Sequence, residues 1–95
     1  MRPKGRPKKP RQVRVELKVV QFSPRGKPGR PDEVLLSLEQ LEAMRLADLN
    51  GQYQSDAAKS MGVSRPTFGR ILKAARKTIV DALVNGKIIR IENPA

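Results

Sequence analysis

Between Ala57 and Lys77 the sequence sets Ala57-Ala58, then Met61-Gly62-Val63-Ser64, ahead of five cations: Arg65, Arg70, Lys73, Arg76 and Lys77. The chemistry open to such residues is polyanion recognition, in which guanidinium and ammonium groups donate to phosphate oxygens and base edges. Catalysis has little to work with. The 95 residues contain no His and no Cys, which removes the side chain most used for proton transfer near neutral pH, disulfides and the usual zinc ligand sets. No nucleophile and base are recognisable as a pair, and Glu39 and Glu42 read as the solvated face of a helix. The expectation is therefore a protein that is not an enzyme, with no catalytic, metal or cofactor-binding residues and no small-molecule ligand.

The elements that must position these cations follow from local sequence. A short helix is predicted over Gln54–Met61, its inner face made by Ala57, Ala58 and Met61, with Ala58 where a second helix crosses closely. Gly62 supplies the positive φ that reverses the chain, and Val63 plugs the core. Ser64 caps the next helix, and Pro66 falls in its first turn, where no N–H is needed. That helix runs to about Val84, stopped by Asn85-Gly86. At about 100° per residue Phe68, Ile71, Leu72, Ala75, Ile79, Ala82 and Leu83 share one face, while Arg65, Gly69, Arg70, Lys73, Arg76 and Lys77 share another. Gly69 would let the backbone approach a ligand closely. Two short helices joined by a Gly-containing turn describe a helix-turn-helix, whose second helix enters the major groove. Tyr53 is a misfit, because it stands where Ser or Thr would cap the first helix of the pair; Ser55 is the alternative cap.

Charge divides the chain unevenly. The formal net charge is +11, and the first thirty residues hold eleven basic residues against Glu16 alone. So strong a field recruits polyanions by counterion release, which puts nucleic acid first among partners. No apolar run is long enough to span a bilayer, and the basic start lacks an apolar signal-peptide core, so a cytoplasmic, nucleoid-associated protein with no membrane contact is expected. Residues 1–11 are Pro-rich and basic with no apolar face, which predicts a disordered arm carrying Arg2, Lys4, Arg6, Lys8, Lys9 and Arg11. Residues 12–36 read as a short β element and loop: Val13, Val15, Leu17 and Val19 alternate with polar residues in a strand ending near Phe22, and Val34–Leu36 pairs back with it. Residues 37–86 form the helical domain. Ser37 and Gln40 make a capping box for a first helix reaching Leu49, which Asn50-Gly51 terminates. Residues 87–95 are a tail or short strand.

The runs Leu38-Glu39-Gln40-Leu41-Glu42-Ala43-Met44-Arg45-Leu46-Ala47-Asp48, Gln54 to Ala58, Met61-Gly62-Val63-Ser64-Arg65, Thr67-Phe68-Gly69-Arg70-Ile71-Leu72 and Ala75-Arg76 resemble a family of small prokaryotic predicted DNA-binding proteins. The similarity extends to residues 6–11 and to Asp81–Lys87. The helix-turn-helix of that family is similar to the promoter-reading C-terminal region of sigma factors. By this resemblance Ser64, Arg65, Thr67, Arg70 and Lys73 are the groove-facing positions. The fold class implied is mainly α: a three-helix, sigma-like helix-turn-helix core with a short N-terminal β element and a basic extended arm.

Lys4-Gly5-Arg6-Pro7-Lys8-Lys9 also resembles an AT-hook core, in which Arg inserts into the narrow minor groove; the bland reading is added phosphate contact. Gly29-Arg30-Pro31 repeats the tripeptide, but Asp32 and Glu33 follow, which makes it a turn. Val80 and Val84 extend the basic face, to be covered by the terminal strands or by a second copy in a homodimer reading two half-sites. The leading expectation is a transcriptional regulator that binds double-stranded DNA. RNA or ribosome binding is the alternative, with only Tyr53, Phe22 and Phe68 available for stacking. A protein-protein adaptor using the same fold is the third.

Overall fold

The computed structural model describes residues 12–26, 29 and 31–92. The predicted arm, residues 1–11, lies outside the described residues. The order of elements is β1 (Gln21–Phe22), β2 (Glu33–Leu36), α1 (Leu38–Met44) with a π-helical continuation (Arg45–Leu49), α2 (Gln54–Met61), α3 (Arg65–Asn85) and β3 (Ile88–Ile91). The chain is mainly helical, with a small three-stranded sheet.

The helix starts are set locally. Ser37 Oγ accepts from the Gln40 N–H at 3.1 Å while Gln40 Oε1 accepts from the Ser37 N–H at 3.1 Å, so two otherwise unpaired N–H groups satisfy each other's residues. The predicted first helix reaches Leu49, but its last turn is π-helical: Asn50 N–H donates to Arg45 O, five residues back, at 2.9 Å. α2 begins at Gln54, and Tyr53 at its N-cap makes no side-chain cap bond, so the misfit is real. Phe68, Ile71 and Leu72 of α3 pack on Ala43, Leu46, Ala57, Ala58 and Met61, which joins all three helices in one core.

The sheet departs from expectation in its pairing. β3 is central, antiparallel to β1 (Phe22 opposite Ile89) and parallel to β2 (Glu33 opposite Ile88, Leu36 opposite Ile91). β2 therefore does not pair back with the N-terminal strand; of the tail or short strand expected at residues 87–95, Ile88–Ile91 form a strand, and it lies in the middle of the sheet. The run Ile88-Ile89-Arg90-Ile91 is rich in β-branched residues, which suits a strand with neighbours on both sides. Leu36 and Ile91 bury with Ala75 in a second cluster, against which Leu17, Leu41 and Ile79 pack. The sheet thus braces the middle of α3.

The predicted strand from Gln12 shrinks to Gln21–Phe22. Its alternation survives as burial, since Val13, Val15 and Leu17 are half-buried while Arg14, Glu16 and Lys18 are exposed. What it lacks is a ladder. Gln12 N–H donates to Met61 O at 3.1 Å and Arg14 N–H to Glu42 Oε2 at 3.0 Å, so this strap bonds to a helix end and a side chain. Glu42 is consequently not on the solvated face; it is 1% exposed. Burial raises its pKa, but Arg45 (Nε–Oε1 2.7 Å) and the Arg14 N–H outweigh this and hold the carboxyl below the ordinary range.

Candidate nucleic-acid interface

α2 and α3 are joined by three residues. Gly62 adopts φ 69°, ψ 32°, and its N–H closes α2 on Ala58 O and Lys59 O, a conformation that costs glycine little. Val63 N–H follows with a bond to Ala58 O at 3.0 Å. The reversal brings Ser64 into position as N-cap of α3, its Oγ accepting from Thr67 N–H at 3.2 Å and donating to Thr67 Oγ1 at 2.9 Å. Both hydroxyls predicted to face a groove are therefore engaged in fixing the helix start. Arg70 joins them, donating from Nη2 to Thr67 Oγ1 at 3.4 Å.

Arg65, Arg70, Lys73 and Lys77 are exposed. None of the four forms an ion pair among the described residues, although the charge of Lys77 helps to lower the pKa of Asp81 one turn on; Arg65, Arg70 and Lys73 are the cations most open to a polyanion. Pro66 lies among them at the exposed N-terminal turn. Two other predicted positions behave differently. Arg76 is committed to Asp48 by two bonds, Nη2–Oδ1 at 2.6 Å and Nε–Oδ2 at 3.2 Å, which lowers the pKa of the carboxylate and raises that of the guanidinium. Gly69 is half-buried beneath α2: a Cβ built there would meet Gln54 Oε1 at 3.6 Å, so this glycine faces its own partner helix.

The apolar face of α3 also ends earlier than its period implies. Ala82 is buried, but Leu83 is 72% exposed, and Val80 and Val84 are 54% and 74% exposed rather than covered by the terminal strands. Helix periodicity marks which residues share a side; it does not say how far the neighbouring element reaches along it.

Two features were not legible as parts of the site. Gln12, to which the basic N-terminal residues are covalently tethered, is bonded beside the turn that leads into α3. Glu42 fixes the next turn of that strap; a Glu three residues before an Arg and flanked by Leu41 and Ala43 was the available signal. An open groove of about 420 Å³ is lined by Val15, Leu41, Met44, Arg45, Asp48 and Leu49. Its two charged residues already serve Glu42 and Arg76, so they are poorly placed to orient a ligand. Among the described residues no cluster of potential metal ligands and no helix long and apolar enough to cross a membrane occurs.

Residues 1–94 match the family model described as "Protein of unknown function DUF134". A UPF0251 protein of Prosthecochloris aestuarii is 51% identical over 89 residues, covering 93% of this chain and 57% of the relative. One from Thermoanaerobacter pseudethanolicus is 54% identical over 88 residues, covering 92% of this chain and 75% of the relative. In Methanococcus vannielii the corresponding UPF0251 protein is 52% identical over 89 residues, 93% of this chain and 68% of its own length. The chain thus spans little more than half of the Prosthecochloris relative. No solved structure matches.

Proposed function

Because the chain belongs to the DUF134 family of proteins of unknown function, its activity has to be read from its own surface, and we propose that it is a double-stranded DNA-binding transcriptional regulator. The observation that carries this reading is the α2–α3 pair: a left-handed Gly62, a Ser64 cap and, on the helix that follows, four exposed cations that form no ion pair among the described residues. In this reading the pair is a helix-turn-helix, and α3 enters the major groove N-terminus first, as recognition helices do. Arg65 and Arg70 reach base edges, Lys73 and Lys77 contact phosphates, and Ser64 and Thr67 hold the leading turn rigid. Tethering of the basic N-terminus at Gln12, beside that turn, favours its use on the same duplex, on the backbone or in the adjacent minor groove.

RNA binding has less support. Among the described residues the exposed rings are those of Tyr53, just before α2, and Phe22, on β1, and two rings on separate elements are few for base stacking.

Selection from a random double-stranded DNA pool at near-physiological salt, with the parent chain and with Arg65→Ala/Arg70→Ala, tests the proposal. An enriched motif that disappears in the variant supports readout by α3. Binding without enrichment, unchanged by the substitutions, overturns it.

A further inference from the structure

Arg70 differs from Arg65 and Lys73 in how α3 presents it. At about 100° per residue it lies roughly 160° around the helix from both Phe68 and Leu72, which are buried, so it stands directly opposite the core. Arg65 lies only about 20° around from Leu72, and Lys73 about 100°. The Arg70 side chain is also held. Thr67 Oγ1, one turn earlier, accepts from Arg70 Nη2 at 3.4 Å and from Ser64 Oγ at 2.9 Å, while Ser64 Oγ accepts from the Thr67 N–H at 3.2 Å. The acceptor that meets Arg70 is therefore itself tied to the backbone. Among the described residues Arg65 and Lys73 have no such side-chain partner.

The bond to Thr67 decides what the guanidinium can still do. Nη2 carries two hydrogens, one on the edge shared with Nε and one on the edge shared with Nη1. Whichever of them goes to Thr67, one complete two-donor edge remains. Two parallel donors match guanine, which presents O6 and N7 as acceptors in the major groove; adenine offers one acceptor and one donor there, thymine one acceptor and a methyl group, cytosine a donor. We infer that Arg70 selects a G·C pair by donating twice to its guanine, with Thr67 as the residue that positions it. This assignment rests on the DNA-binding reading. A side chain already held by Thr67 loses less rotamer freedom on settling against a base than a free one would. The same edge fits a phosphate, but that contact carries no base preference.

The probe is the duplex that the parent chain enriches from a random pool. Its dissociation constant is measured with guanine at each G·C position replaced in turn by adenine and by 7-deazaguanine, which lacks only the N7 acceptor. At one position the parent should lose about ten- to a hundredfold in affinity on going to A·T, and severalfold with 7-deazaguanine. Arg70→Ala should be indifferent to both changes there while still discriminating elsewhere. Thr67→Val keeps the N–H to Ser64 and removes the acceptor, so it should shrink the preference at that position alone, with the salt dependence unchanged; Thr67→Ser should restore it. Helical circular dichroism checks that each variant is folded. A motif without a G·C pair, or base preferences that all survive Arg70→Ala, overturns the inference and leaves the DNA reading standing, with Arg70 on phosphate. A preference left whole by Thr67→Val overturns the positioning role. A parent that enriches no motif removes the regulator reading and this inference with it.

Discussion

Arg76 of α3 grips Asp48 of the π-helical turn through both ends of its guanidinium, at 2.6 and 3.2 Å, and so ties two helices together from outside the core. Both partners are substantially exposed, and an exposed pair contributes only about 0–1 kcal/mol. Arg76→Ala should therefore lower stability by less than about 1 kcal/mol. Because its charge is already engaged, the same variant should weaken DNA binding much less than Lys73→Ala. Titrations over a range of salt check this: Lys73→Ala should reduce the slope of log K against log salt by about one unit. Equal losses for the two variants would contradict the assignment.

Glu42 is the carboxylate with most at stake. Its folded pKa lies below the ordinary value of about 4.3, so its stabilisation is complete above that pH and is lost as pH falls through the folded value. Glu42→Gln should destabilise the neutral protein by about 1–3 kcal/mol, since Arg45 and the Arg14 N–H lose a charged acceptor. The variant should also lose part of the acid-induced fall in stability. Urea denaturation at pH 7 and at pH 3.5 measures both, and an acid limb as steep as the parent's would refute the clamp.

Ser64→Ala removes the acceptor for Thr67 N–H. A loss of about 1 kcal/mol is expected from the missing cap. Amide exchange should rise at the start of α3 and leave the distant β3 unaffected.

From sequence alone Gly69 offers clearance for an approaching duplex. With only Gln54 Oε1 near the position of a Cβ, at 3.6 Å, Gly69→Ala should fit and raise the melting temperature, gaining about 0.5–1 kcal/mol from helix propensity. DNA affinity should be unchanged. A stable variant with severalfold weaker binding would show that the backbone there does meet the duplex.

Local chemistry was legible in the sequence. The Ser37 and Ser64 caps, the left-handed glycines at 62 and 86 and the extent of α2 are decided by residues within a turn of one another. Long-range partners were not. Nothing in Val34–Leu36 distinguishes pairing with the strand before it from pairing with Ile88–Ile91, because both offer alternating apolar residues. Glu42 looked solvated because its helical position alone does not show that a strap lies over it. The basic face was readable as a set of side chains, whereas the diversion of Arg76 to Asp48 and of Gly69 toward Gln54 depends on how α3 is seated.

The placement of β3 at the centre of the sheet also orders events during synthesis. Among the described residues Glu33–Leu36 and Gln21–Phe22 pair only with Ile88–Ile91, so on the ribosome both wait for that pairing until those late residues clear the exit tunnel. The helices, whose contacts close earlier in the chain, can gather first. A nascent polypeptide halted before Ile88 would therefore carry its cations on a scaffold with two open strand edges, a form exposed to proteolysis and to aggregation.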